Sequence, residues 1–427
     1  PYGYSKADFQ VLGEAEGIID KFIAAWEAGA REGVFEAEKF KVDVSKSPIP
    51  RFDLLKFKHY LYIGVQFSRG CPFTCEFCDI IELYGRVPRA KTNAQMLDEL
   101  EALYRLGYRG HVDFVDDNLI GNKKAVKAFL PELKTWLGQH DYPFEFTTEA
   151  SLNLSDDADL LRLMNEANFI GVFIGIESPD TDTLIAMRKK QNTRRNIAQS
   201  IHRIYAAGLY VTAGFIVGFD SERGSVADPL IELIEEAAIP ICMVGLLFAL
   251  PNTQLTRRLA SEGRLHAELL SAPDAGIDQA TQGLNFDTLR PRPEILSDFK
   301  RVLEHIYDPT AYARRLRRLA GLLGSTNPNR RTHTSDSSGR LDGLGIVHRI
   351  LSNLPGAQDV FKQTIIQCAS TNPRWARTIV MLAAFYLHLG PFSRQVIHQI
   401  EQRLDESRNT ASDPREPTRL ADIATVA

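Results

Sequence analysis

"LYIGVQFSRGCPFTCEFC", Leu61 to Cys78, runs from an apolar stretch into a loop that holds three of the chain's five cysteines. The apolar part reads as a strand that stops where the loop begins. In the loop, Cys71, Cys75 and Cys78 stand at C-x3-C-x2-C spacing, and no fourth thiol or imidazole lies beside them. Three thiolates so spaced can converge on one metal centre. Three readings stand open: zinc completed by a distant His59 or His111, plain buried cysteines, and an iron–sulfur cluster with three protein ligands. Zinc sites usually come as paired C-x-x-C elements, and there is no second pair in this chain. An iron–sulfur cluster held by three thiolates would leave one iron open to an exogenous molecule. Such an open position is what makes a metal site catalytic.

Downstream the strand signal recurs, each time followed by helical sequence. The strands are HVDFVDD (111–117), FEFTTEAS (144–151), GVFIGIES (171–178), VTAGFIVGFD (211–220) and CMVGLLFAL (242–250). Helical periodicity fills 93–106, 123–137, 156–168, the stretch to Ala207, and 226–238. This is the rhythm of a parallel α/β fold, either a doubly wound sheet or a barrel, complete or partial. In both, ligands gather at the carboxyl ends of the strands. Those ends carry the cysteines, then Asp116 and Asp117, then Glu149, then Glu177, then Gly218-Phe219-Asp220. One acid after a strand is ordinarily a helix cap or a loop residue. Their recurrence on the rim that carries the cysteines marks the rim as the site.

Composition bounds the function. The chain has 427 residues, 44% of them hydrophobic and 24% charged, as in globular proteins of two or three domains. A net charge of −4 gives no electrostatic reason to expect nucleic acid or an anionic membrane as partner. Five mostly clustered cysteines make no disulfide framework and point to a reducing cytoplasm. The apolar run from Ala237 is broken by Pro240 and closed by Pro251, too short to cross a bilayer. The chain opens on Pro1, already in the middle of a domain, which points to a fragment or a processed product.

With these residues in place the sequence closely resembles radical S-adenosylmethionine (SAM) enzymes. Cys71, Cys75 and Cys78 match that family's cysteine loop after the first barrel strand, with Phe77 at the aromatic position before the third cysteine. "GFIVGF", Gly214 to Phe219, is similar to the strand-five signature near the adenine. "GIES", Gly175 to Ser178, is similar to the strand-four segment near the ribose and methionine. "VDDN", Val115 to Asn118, stands where the family usually has Gly-Gly-Glu facing the methionine amino group. The resemblance implies a partial (β/α)6 radical SAM barrel and a [4Fe-4S] cluster on the three cysteines. It also implies SAM chelated to the open iron and cleaved reductively to a radical that abstracts hydrogen from a substrate. Asp116 or Asp117, Glu149 and Glu177 would then meet polar groups of SAM, and Gly214 and Gly218 would line the adenine. Arg188 or Lys189, in "MRKKQN", would either approach SAM's carboxylate or end a solvated helix.

"LGEAEGIIDKFIAAWEAG" and "IPRFDLL" resemble the end and linker of the cobalamin-binding domain that precedes the barrel in one subfamily. The branch nearest to the cysteine loop, "HVDFVDDNLIGNKK" and "AAFYLHLGPF" is that of the hopanoid methylases. This implies a methylase acting on a small-molecule or lipid substrate, with cobalamin in the full-length protein and an electron donor such as flavodoxin or ferredoxin. A radical enzyme on RNA and a zinc-stabilised binding module are the alternatives. The expected layout is a cobalamin-domain remnant over 1–45, the barrel over 46–263 and a helical region over 264–404. A flexible loop is expected near 324–343 and a disordered tail over 405–427. Ile18, Ile19, Phe22, Ile23 and Trp26 are expected on one side of the first helix. The arginines of "AYARRLRRLAGLLG" read as a solvated face. Cys242, Cys368, Tyr386 and His388 read as packing residues. Tyr84, Arg86 and Arg89 either cover SAM, meet the reductant, or form a surface loop.

Overall fold

The computed structural model describes residues 7–266, 283–328, 345, 352 and 356–411. At its start two short parallel strands, β1 (Phe9–Leu12) and β2 (Gly33–Glu36), flank the helix Ile19–Glu27. The expected helix is therefore part of a βαβ unit. Phe22 packs edge-on against Phe9 and Phe35, at 5.3 and 5.7 Å between ring centroids. Ile23 and Trp26, expected on the same buried side, remain exposed.

The strands that follow are β3 (Ile63–Val65), β4 (Ser68–Arg69), β5 (Arg89–Ala90), β6 (Gly110–Phe114), β7 (Phe144–Glu149), β8 (Phe169–Glu177), β9 (Tyr210–Val217) and β10 (Cys242–Leu246). Six of them form one parallel sheet in the order β10-β9-β8-β7-β6-β3, while β4 and β5 pair as an antiparallel ribbon beside the cysteine loop. This order decides the architecture. In a doubly wound sheet the strand order reverses at a switch point. Here each strand is added beside its predecessor, so the crossovers all run one way and the helices share one face. The sheet is a six-stranded open barrel.

Alternation along the strands separates its two faces. Val112, Phe114, Phe146, Val172, Ile174, Ala213 and Phe215 are buried against the helices. Asp113, Thr147, Phe173 and Ile216, at the other parity, face the concave side and stay partly accessible. Thr92, Asn122, Asp157 and Asn196 each accept a backbone N–H in the first turn of the helix they cap, fixing where the barrel helices begin.

Beyond the barrel, the helix Arg292–Ile306 packs on β9, β10 and the helix Ala227–Ala237. The helices Pro309–Leu322, Gln358–Thr371 and Ala376–Ala411 build outward from it. The last of these runs through Ala411, past the point where a disordered tail was expected; 412–427 lie outside the described residues. Of the loop expected near 324–343, only 324–328 are described. Gly324 donates to the Tyr205 carbonyl and accepts from the Trp375 indole, so this end is pinned. One arginine corrects the expectation of a solvated face. Arg315 is 1% exposed, paired with Glu235 at 2.7 Å and bonded to the carbonyls of Ile239 and Ile306. Cys242, Cys368 and Tyr386 are buried in the core as read, and His388 is exposed and stacked on Phe392. Among the described residues no helix is long and apolar enough to cross a membrane.

Candidate active site on the barrel rim

The cysteine loop begins where the β3–β6 ladder is cut short. Val115 N–H still bonds to the Val65 carbonyl, but beyond Gln66 the N–H groups of Phe67 and Ser68 donate to the Asp116 carboxylate at 2.9 and 2.5 Å. The Ser68 hydroxyl adds a third bond at 2.6 Å. Asp116 thus substitutes for ladder acceptors and turns the chain into the loop. Burial pushes its pKa up to about 7, against the hydrogen bonds that lower it. Its oxygens are taken up by backbone and serine. Of the two rim aspartates it is Asp117 that keeps a buried oxygen without a hydrogen-bond partner.

The far side of the loop is clamped by ion pairs. Glu76, between Cys75 and Phe77, meets Arg258 at 2.7 Å, and Arg258 meets Asp220 at 2.9 Å. Asp220 also holds Arg264 at 2.6 Å. The Glu76 N–H donates to the Met187 carbonyl, and its carbonyl accepts from Leu255. The segment after β8 and the helix Gln254–Ser261 therefore both grip one loop residue, and the end of β9 braces that grip through Arg258. On the near side Glu14 pairs with Arg69 and Arg89, at 3.0 and 2.9 Å, and ties the N-terminal βαβ unit to the ribbon. Arg89 is committed to this contact, and Arg86 is exposed.

The three sulfurs are mutual electrostatic neighbours. Burial pushes the Cys78 thiol up to about 12 and raises that of Cys75, although Lys189 pulls the latter down. A metal centre would therefore have to displace protons from them. Among the described residues no three His, Cys, Asp or Glu side chains are gathered closely enough to hold a single metal ion. Tetrahedral zinc would need its sulfurs about 4 Å apart, given Zn–S bonds near 2.3 Å. Neither proposed imidazole can complete such a site. His59 lies ahead of β3, exposed, and His111 opens β6 with its ring on Thr147 at 2.8 Å. Both occupy the amino ends of strands, whereas the cysteines follow a carboxyl end.

Across the mouth, β8 ends with a register shift, and Glu177 sits at φ 68°. A non-glycine residue held there costs about 1–3 kcal/mol, and such strain concentrates at functional sites. Glu177 pairs with Lys189 at 2.6 Å, both side chains nearly buried. Gly175 makes room for the pair, since a Cβ would lie 2.4 Å from Glu177 Oε1. Arg188, also left-handed at φ 62°, points outward to Gln254 and so turns Lys189 inward. Burial opposes the charge on Lys189, but Glu177 and Cys75 outweigh it and hold the pKa above its usual value. Its ammonium lies 5.8 Å over the Phe77 ring, which packs edge-on against Phe219. The two signature glycines have reasons within the protein. A Cβ on Gly214 would meet the Phe173 ring at 3.0 Å. Gly218, at φ 107°, faces Leu284 and donates its N–H to Glu222 at 2.7 Å.

Two residues that no spacing singled out complete the mouth. Asn118 and Gln191 aim side-chain amides at the sulfurs of Cys71 and Cys75. Gln191 Oε1 and Asn192 Oδ1 are buried with no hydrogen-bond partner. With Asp117 Oδ2 they are acceptors left over for a ligand with polar donors, and the residues present fit a sulfonium amino acid seated on a three-thiolate cluster.

Glu149 faces the concavity, reachable by solvent yet ringed by protein. Burial and then Asp117, Asp113 and Asp116 raise its pKa to about 7. A folded-state pKa above the unfolded one adds stability at low pH that is lost as pH rises through the folded value. Glu149 should therefore subtract from the stability of the cluster-free protein as pH rises from about 4 to about 7. Glu149→Gln should relieve part of that loss. Its melting temperature relative to the parent should improve from about pH 5 to about pH 8, and an offset equal at both would count against this electrostatic reading.

Residues 65–234 match the radical SAM superfamily. This segment is a radical SAM domain. Residues 253–402 match a domain of unknown function, DUF4070. Among similar proteins, an uncharacterised methyltransferase of Synechocystis is 48% identical over 72% of this chain and 56% of its own length. The hopanoid C-2 methylase of Rhodopseudomonas palustris is 36% identical over 74% of this chain and 58% of its own. The chain thus spans somewhat more than half the length of these relatives. In fold it is similar to the cobalamin-dependent SAM radical enzyme OxsB, with a TM-score of 0.52 at 13% identity over 93% of this chain and 64% of that one.

Proposed function

We propose that this chain is the catalytic part of a cobalamin-dependent radical SAM methylase. In this reading Cys71, Cys75 and Cys78 hold a [4Fe-4S] cluster whose open iron binds SAM. The observation that carries it is the three-sulfur loop, clamped on both sides and opening onto orphaned acceptors at the carboxyl ends of the strands. Once bound, the cluster supplies the electron that cleaves SAM, and SAM supplies the radical that activates a substrate carbon. The protein's share is positional. Glu76, Arg258 and Asp220 fix the loop, Phe77 and Phe219 wall the mouth, and Asp117, Glu149 and Gln191 offer acceptors to the ammonium and hydroxyl groups of SAM. Lys189 offsets negative charge that would otherwise gather between Glu177 and Cys75.

The methylase reading is supported by the two relatives just described, and a polycyclic lipid substrate by the one that acts on hopanoids. A cavity of about 560 Å³ lies between the loop after β1, the linker and β3, lined by Glu14, Pro48, Gly64 and Arg69. It places the concave face of the barrel next to the N-terminal unit, where a methyl-carrying cofactor would have to reach the substrate. In the full-length, anaerobically reconstituted protein supplied with a low-potential one-electron reductant, SAM and a hopanoid substrate should yield both 5′-deoxyadenosine and S-adenosylhomocysteine together with a methylated lipid. Deoxyadenosine without methylated product would leave a radical enzyme but sink the methylase.

A further inference from the structure

We propose that Gln191 and Asn118 set the reduction potential of the cluster by donating side-chain N–H groups to two of its cysteine sulfurs; the inference rests on reading the loop as an iron–sulfur ligand set. Gln191 Nε2 lies 3.8 Å from Cys75 Sγ, and Asn118 Nδ2 lies 3.8 Å from Cys71 Sγ. Both side chains are buried, at 8% and 3% exposure. The third sulfur, of Cys78, accepts from the backbone N–H of Ile80. Each ligand thus has one donor, and each donor comes from a different element.

The Asn118 amide is not free to turn, and the Gln191 backbone is fixed. Asn118 Oδ1 accepts from the N–H and the hydroxyl of Ser151, at 3.2 and 3.3 Å, which leaves its nitrogen facing sulfur. Gln191 lies in the turn Lys190–Asn192, held inward by the left-handed residue Arg188 and the Glu177–Lys189 pair. A thiolate can only accept, so a buried amide beside it presents N–H. Reduction adds one negative charge to the cluster and its sulfurs. Donors to sulfur favour the reduced form more than the oxidised one and raise the potential. Packing alone would be met as well by leucine or methionine at these positions. What the amides add is electrostatic.

The test is an EPR-monitored redox titration of the reconstituted parent, Gln191→Met and Gln191→Asn. The second variant keeps polarity but withdraws the donor by one methylene. Both midpoints should fall, the methionine variant by about a tenfold shift in the reduction equilibrium, or 59 mV for one electron. A fully loaded variant with an unchanged or higher midpoint would overturn the proposal. A second readout does not depend on any variant loading. Protein labelled with nitrogen-15 at glutamine side-chain amides should show hyperfine coupling to the reduced cluster, and its absence would equally overturn the proposal. A parent that binds no iron and sulfide would overturn the reading of the loop as well, which separates the two failures.

Discussion

Cys75→Ala should bind markedly less iron and sulfide on anaerobic reconstitution, lose the broad brown absorption, and cleave SAM at least about a thousandfold more slowly, about 4 kcal/mol in barrier. Cys75 is the most buried of the three loop cysteines, and its neighbour Glu76 is held by the helix Gln254–Ser261 and by the segment after β8. Alanine removes the ligand while those clamps remain, so the far-ultraviolet dichroism should hardly change. Cys242→Ala supplies the contrast. Cys242 opens β10 with its thiol buried and its backbone carbonyl bonded by Tyr307, and loss of the thiol should cost about 1–2 kcal/mol of stability with iron binding intact. If Cys75→Ala kept a full cluster, the loop would not be the ligand set.

The other large effect belongs to Lys189→Met. The Glu177–Lys189 pair is 2.6 Å apart with side chains 9% and 11% exposed, so removing the ammonium strands a buried carboxylate. Breaking such a pair costs about 3–5 kcal/mol, whereas replacing both partners by groups of similar shape is often neutral. The single variant should therefore melt well below the parent, and Glu177→Gln/Lys189→Met should regain most of the loss. Urea or thermal unfolding of the cluster-free protein measures both. A single variant within about 1 kcal/mol of the parent would show that the pair contributes as a surface ion pair does.

These two residues also show what the sequence could reveal. The barrel was legible because its strands are apolar runs of regular spacing, and Cys71, Cys75 and Cys78 because three cysteines cluster in a chain that has five. Whether the sheet was doubly wound or a barrel was not legible from periodicity, since strand order is a long-range property. Lys189 was flagged beside Arg188, but only the left-handed backbone at Arg188 decides which of the two turns inward. Asn118 and Gln191 stood inside quoted stretches but gave no signal as partners of the sulfurs, because a single amide has no periodicity and its partner lies 47 or 116 residues away. The resemblance of VDDN offered Asp116 or Asp117 as the SAM contact, without deciding between them. The use of Asp116 as a stand-in for ladder acceptors depends on how β3 and β6 align, which composition does not encode. The strand β1 escaped because four residues ahead of a turn carry too little pattern.

The sheet has ends: β3 and β10 each pair on one side only in the six-stranded ladder. A hoop cut at one place can spring wider or narrower through small changes of twist, with every rung between its strands intact. A closed eight-stranded hoop would have to break rungs to do the same. The cut lies between the strand that leads into the cysteines and the strand that leads into the C-terminal helices. A rigid, bulky guest entering the hollow would therefore be felt at once by both, and the gap between metal loop and guest would follow the girth of what is admitted.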